Sequence, residues 1–139
     1  MLATLEGICA AAARIEGIAR QTPVLDLSPL LPLHVKCEQM QPIGAFKIRG
    51  AYNTIAQLTP EELARGVVAH SSGNHAQGVA RAALLLGTRA VLVMPSDAPA
   101  VKRARVEADG AEVIEVGVAS GEREEMAERL VTERGLVFV

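Results

Sequence analysis

From Gly66 onward, short β-type runs alternate with helical patterns, and that alternation leaves few folds open to this chain. Val67-Val68-Ala69, Ala90-Val91-Leu92-Val93, Glu112-Val113-Ile114-Glu115-Val116 and Leu136-Val137-Phe138-Val139 are the strand candidates. Helical patterns fill the gaps at 74–87, 98–109 and 121–134. Strand starts near 67, 90, 112 and 136 recur at about the pitch of a βα unit, which predicts a parallel sheet with right-handed crossovers. Gly87, Gly110 and Gly135 each stand where a helix-ending glycine belongs before the next strand. The segments share no residues that would make them a sequence repeat. Half of the chain is apolar but only 2% is aromatic, so the core must be built from Ala, Val, Leu and Ile. That palette suits helices packed on a buried parallel sheet.

The first 60 residues are less regular. Thr4 is a plausible N-cap for a helix running to about Ala19, with Leu5, Ile8, Ala12 and Ile15 on one face. Thr22-Pro23 ends it. Val24-Leu25 and His34-Val35-Lys36-Cys37 read as two short strands, separated by a Pro-punctuated loop from Ser28 to Pro32. Pro42 and Gly44 then open a second helix, continuing through Tyr52 and Ile55 to about Leu58. At 139 residues there is room for one ordinary domain. The chain stops on what reads as a buried strand, Val137-Phe138-Val139, so it is expected to be part of a longer protein.

A net charge of −2 with interspersed signs offers neither a basic nucleic-acid footprint nor a polybasic membrane patch. No apolar run approaches membrane-spanning length. Residues 8–13 are apolar, but Glu6 precedes them without a basic n-region, so they read as an amphipathic helix and not a signal peptide. Cys9 and Cys37 have no CxxC or His-rich company; a disulfide framework or metal site is not expected, and a cytoplasmic location is.

Two constellations carry chemistry. Lys47 lies in Gly44-Ala45-Phe46-Lys47-Ile48-Arg49-Gly50-Ala51, directly after an aromatic ring and at the start of a helix. The helix dipole, and on this reading the ring, disfavour its protonated form, and a neutral lysine is what condensation with a carbonyl requires. The plainer reading is a snorkelling surface lysine. Gly44 to Gly50 lacks the GK[ST] ending of a Walker A loop. The second constellation, Ser71-Ser72-Gly73-Asn74-His75-Ala76-Gln77-Gly78, follows a strand and opens a helix. Unpaired backbone N–H groups, two hydroxyls and an amide make this an anion site at the carboxyl end of a parallel strand; Ser, Asn and Gly are also what an ordinary helix start prefers. His75 reads as base, ligand or structural residue, whereas His34 and His70 carry no motif. Arg49 reads as a structural ion pair, and Glu122 to Arg134 as a solvated helix face.

Taken together, Lys36-Cys37-Glu38, Gln41 to Ala51 and Ser71 to Gly78 resemble the fold-type II pyridoxal-phosphate enzymes, in the threonine/serine dehydratase and serine racemase branch. Val93-Met94-Pro95, Ala98-Pro99, Lys102 and Gly110-Ala111-Glu112-Val113 fit the same branch. The resemblance implies pyridoxal 5′-phosphate as cofactor, with Lys47 forming the Schiff base and shuttling the α-proton. It implies Phe46 beside the cofactor ring, Asn74 on its 3′-oxygen, and Ser71, Ser72, Gly73, Asn74 and His75 around the substrate carboxylate. Ser72 stands where racemases place their opposite-face acid/base. Ala45, where many relatives have serine, reads as branch variation.

The implied fold is the small α/β domain of the tryptophan synthase beta-like architecture at 41–139. Residues 1–40, an N-terminal helix and two short strands, would belong to an incomplete large domain. In the family, the glycine-rich phosphate cradle and the group facing the pyridine nitrogen lie beyond the stretch matched here. The implied activity is deamination of threonine or serine to 2-oxobutanoate or pyruvate and ammonia, by a homo-oligomer acting on a free amino acid. A serine racemase, or a non-catalytic α/β remnant binding an amino acid or a partner protein, stays open, and the isolated chain is expected to be inactive.

Overall fold

The computed structural model describes residues 3–28 and 30–139. Helix α1 (Leu5–Arg14) starts at Thr4, whose hydroxyl accepts from the Gly7 N–H. It ends earlier than the expected Ala19, because the chain turns through Gly17 at φ 75°; Ile18, past that turn, still packs against the core. Strands β1 (Val24–Asp26) and β2 (His34–Lys36) form an antiparallel pair with Leu25 opposite Val35. The loop expected between them at 28–32 includes residue 29, which lies outside the described residues. Val24, Leu25, Leu31 and Leu33 stay exposed.

A single 3₁₀ turn (Glu38–Met40) leads to α2 (Lys47–Ile55), which stops a turn before the expected Leu58. Then comes α3 (Pro60–Arg65), which the periodicity does not predict. Six residues hold no apolar repeat, but Thr59 and Glu62 form a reciprocal capping box and Pro60 occupies the first turn. The alternation then unfolds as expected: β3 (Val67–His70), α4 (Asn74–Leu86), β4 (Ala90–Pro95), α5 (Ala100–Ala108), β5 (Glu112–Val116), α6 (Ser120–Arg134) and β6 (Val137–Phe138). Gly87 and Gly135 end α4 and α6 at φ 68° and 65°, a left-handed conformation that a side chain would strain.

The four strands from β3 onward form one parallel sheet in the order β5-β4-β3-β6. Both central strands are buried on both faces, which is why they read as unbroken Val, Ala and Leu runs. Val67, Ala69, Leu92 and Met94 face a layer built on Ile48, Ile55, Val79, Ala83 and Val106 from α2, α4 and α5. Val68, Val91 and Val93 face Ala127 and Leu130 of α6. The rest of α6 is largely exposed, as expected of a solvated face, with an internal Arg129–Glu133 pair at 2.7 Å. The order turns back at β3, since β4 and β5 lie to one side of it and β6 to the other. In open α/β sheets, ligands collect outside the carboxyl ends of strands at such a reversal.

The N-terminal segment is held to α2 by a polar clasp. Glu38 accepts from Nε and Nη2 of Arg49 at 2.9 Å each, from the Thr22 hydroxyl at 2.6 Å and from the Gln41 amide at 3.1 Å. The Gln41 amide also exchanges two 2.9 Å hydrogen bonds with the backbone of Arg20, whose carbonyl accepts from Arg49 as well. The Arg49 bonds, followed by the Thr22 and Gln41 donors, outweigh burial and hold the Glu38 carboxyl down at about 2. Arg49 is thus the structural ion pair its position predicts. Asn53 of α2 additionally accepts from Arg14 of α1.

Candidate functional site

Lys47 is the first residue of α2, half-buried, with Ile48 and Ala51 below it in the core. Its Nζ lies 5.1 Å from the centroid of the Phe46 ring, itself 55% exposed. A ring face at that distance attracts a positive charge. The contact with the ring is therefore an attractive one for the ammonium, opposite to the sense expected from the sequence.

The start of α2 is seated on α4. A Cβ placed on Gly78 would come within 3.1 Å of the Lys47 carbonyl oxygen and 3.3 Å of the Ala51 Cβ. Without a side chain at 78, the backbone at Lys47 lies one turn from the beginning of α4, where Asn74 is the first helical residue. The lysine and the Ser71–His75 loop are thereby brought to the same end of the sheet.

The loop leaves the carboxyl end of β3 with the Ser71 N–H still bonded to the Val93 carbonyl at 3.1 Å. The Ser71 hydroxyl accepts from the Gly73 N–H at 3.2 Å, shaping the turn and leaving its proton free to donate. Gly73 is buried, Ser71 half-buried, and Ser72 and Asn74 are exposed. Neither the Ser72 hydroxyl nor the Asn74 amide is engaged as a helix cap, since α4 has no side-chain cap. An ordinary N-cap reading of the loop therefore has no side-chain bond behind it.

His75 lies half-buried in the first turn of α4. Burial, and then the nearby positive charges of Lys47 and His70, hold its imidazole below the usual histidine range. A hydrogen bond to the Val139 backbone, second in size to burial, opposes them. His70, at the end of β3, packs its ring against Phe138 of β6, with centroids 5.6 Å apart. His34 lies elsewhere, exposed beside Asp26.

One neighbour of the loop enters the sequence reading only within the run that fits the resemblance, with no role attached to it. Lys102, in the first turn of α5, brings its Nζ to 2.9 Å from where a Gly73 Cβ would stand. No sequence spacing links residues 73 and 102, and only the packing of α5 on α4 brings them together.

The donor set suits a pyridoxal group. It offers an amine able to condense with an aldehyde, an aromatic ring beside that amine, an amide able to face a phenolic oxygen, and hydroxyl and backbone donors for a carboxylate. Cys9 and Cys37 are both free thiols, exposed and buried respectively. No helix among the described residues is long and apolar enough to cross a membrane.

Known proteins resemble this arrangement closely. A model of the family described as pyridoxal-phosphate dependent enzyme matches residues 15–139. The L-threo-3-hydroxyaspartate ammonia-lyase of a Pseudomonas species is 40% identical over 99% of this chain and 45% of its own length. The L-threonine ammonia-lyase of Thermotoga maritima is 44% identical over 98% of this chain and 35% of its own. Among solved structures, maize serine racemase superposes with a TM-score of 0.93 at 40% identity, covering 100% of this chain and 44% of that one. The chain spans less than half the length of each of these relatives.

Proposed function

The chain belongs to the pyridoxal-phosphate dependent enzyme family, and from that premise we propose that it carries the lysine-bearing portion of an ammonia-lyase acting on threonine or serine. The observation that carries the proposal is the joint placement of Lys47 and the Ser71–His75 loop at one end of the sheet, enforced by the contact of Gly78 with the Lys47 backbone. Ammonia-lyases and racemases both occur among the relatives, so pyridoxal-phosphate chemistry on an amino acid is common ground, and the choice of substrate is the proposal.

Bound pyridoxal phosphate supplies an electron sink that acidifies the proton on the α-carbon of an amino acid. Lys47 is the amine that holds the cofactor's aldehyde and afterwards carries the α-proton at Nζ. Phe46 packs beside the ring. Asn74 donates its amide to the phenolic oxygen, while Ser71, Ser72, the turn at Gly73, the Asn74 N–H and His75 orient the substrate carboxylate. With the carboxylate fixed, Nζ of Lys47 would take the α-proton, the β-hydroxyl would take up a proton and leave as water, and addition of water to the resulting enamine would release ammonia. The products would be 2-oxobutanoate or pyruvate, with ammonia.

The proposal also places residues 41–139 in a small domain and residues 1–40 with a larger one. It includes a homo-oligomer working in the cytoplasm, where two free thiols would be at home. A racemase is the second reading. Ser72 favours it, standing exposed at the position where the resemblance puts a racemase's opposite-face acid/base. Incubation of the full-length protein that contains this chain with L-threonine and L-serine tests both: release of 2-oxo acid with a borohydride-sensitive visible band supports the lyase. Accumulation of D-serine without 2-oxo acid would transfer the assignment to the racemase.

A further inference from the structure

The position of Lys102 has a consequence for substrate binding. Its side chain crosses from the first turn of α5 to the turn that opens α4. There Nζ stands 2.9 Å, and Cδ 3.6 Å, from where a Gly73 Cβ would be. The ammonium therefore occupies space left by the missing side chain at 73. Among the described residues Lys102 forms no ion pair, as is also true of Lys36 and Lys47, so no carboxylate of this chain holds its ammonium.

Its surroundings are of its own sign. Lys102 lies in the positive first turn of α5 and against the positive start of α4, where the first backbone N–H groups have no helical acceptor. A half-buried ammonium between two positive helix starts, beside the Ser71 and Ser72 hydroxyls, is placed to receive an anion.

We propose that Lys102 is a substrate-binding residue whose ammonium pairs with the α-carboxylate of the amino acid held at the Gly73 turn. This rests on the reading of the Ser71–His75 loop as the carboxylate site, and adds to it a full charge from another helix. It also explains the glycine at 73, since a side chain there would displace Nζ. The cofactor's phosphate is the other anion at hand, and the experiment separates the two.

The test uses the cofactor-loaded protein and Lys102→Met, with Lys102→Arg as the charge-keeping control. Glycine and glycinamide, which differ only in the carboxylate, are titrated while the cofactor's absorbance is followed; this reads binding without turnover. A charge-assisted contact predicts that Lys102→Met weakens glycine by about 10-fold or more and leaves glycinamide within about 2-fold. Lys102→Arg should recover most of the loss, and KM for L-threonine should rise with little change in kcat. Equal weakening of glycine and glycinamide would mean a merely structural role and overturn the proposal, as would no weakening of either. Loss of pyridoxal phosphate affinity with an unchanged glycine-to-glycinamide ratio would assign the anion to the cofactor and equally overturn it. A wild-type protein that binds glycine but eliminates nothing from threonine would sink the lyase reading while leaving the Lys102 result decisive.

Discussion

Breaking the Glu38–Arg49 pair should loosen the attachment of the N-terminal segment to the helix that carries Lys47. One pKa unit is worth about 1.4 kcal/mol. A fall of the Glu38 carboxyl from 4.5 to about 2 therefore caps the pair and its hydrogen bonds at about 3 kcal/mol. The two side chains remain 20% and 33% exposed, and water screening reduces the expected value to about 1–2 kcal/mol. Urea unfolding of wild type, Glu38→Gln, Arg49→Met and the double variant gives the coupling directly. The pH dependence has a definite sign. Because the folded value lies below the ordinary one, the stabilisation is complete above about pH 4.5 and is lost as pH falls toward about 2. Glu38→Gln should remove that part of the acid-induced loss. A coupling under about 0.3 kcal/mol, or parallel acid profiles for wild type and Glu38→Gln, would refute the reasoning.

Three further outcomes are expected. Lys47→Ala should abolish the borohydride-sensitive band and turnover together, and Lys47→Arg should be no milder, since a guanidinium does not deprotonate to condense with an aldehyde; absorbance and 2-oxo acid release check both. Ser71→Ala and Asn74→Ala should each weaken cofactor or substrate binding by about 1.5–3 kcal/mol with unchanged circular dichroism, and wild-type kinetics in both would reduce the loop to a helix start. His75, whose folded pKa is depressed by burial, should lower stability as pH falls through its ordinary value of 6.5. That window lies above the one belonging to Glu38, and urea midpoints of His75→Gln against wild type should show its absence.

The sheet was legible because its strands are buried on both faces and its helices end on glycine; β3, β4 and β5 lie within two residues of the expected bounds. The misses have physical causes. Ile15 and Ile18 continue the apolar spacing of α1, yet Gly17 turns the chain, so the pattern reports burial without continuous helix. Helix α3 announces itself only through its Thr59–Glu62 capping box, which apolar periodicity overlooks. The places of Lys47 and the Ser71–His75 loop could be read from strand and helix starts. The Glu38 partner of Arg49, eleven residues away, and the approach of Lys102 to Gly73 could not, because they arise from tertiary packing.

The contact between Gly78 and the Lys47 carbonyl separates robustness of the fold from robustness of the chemistry. Interiors are close-packed, so an added methyl group cannot be absorbed locally. At 3.1 Å from a backbone oxygen, it would push the start of α2 aside while Ile48 and Ile55 kept the rest of that helix anchored in the core. The molecule would survive as a folded object, and the Lys47 amine, the nitrogen proposed to react, would be displaced by a few tenths of an ångström. Variation at residue 78 would therefore pass a screen for solubility and be removed by one for turnover of the proposed reaction.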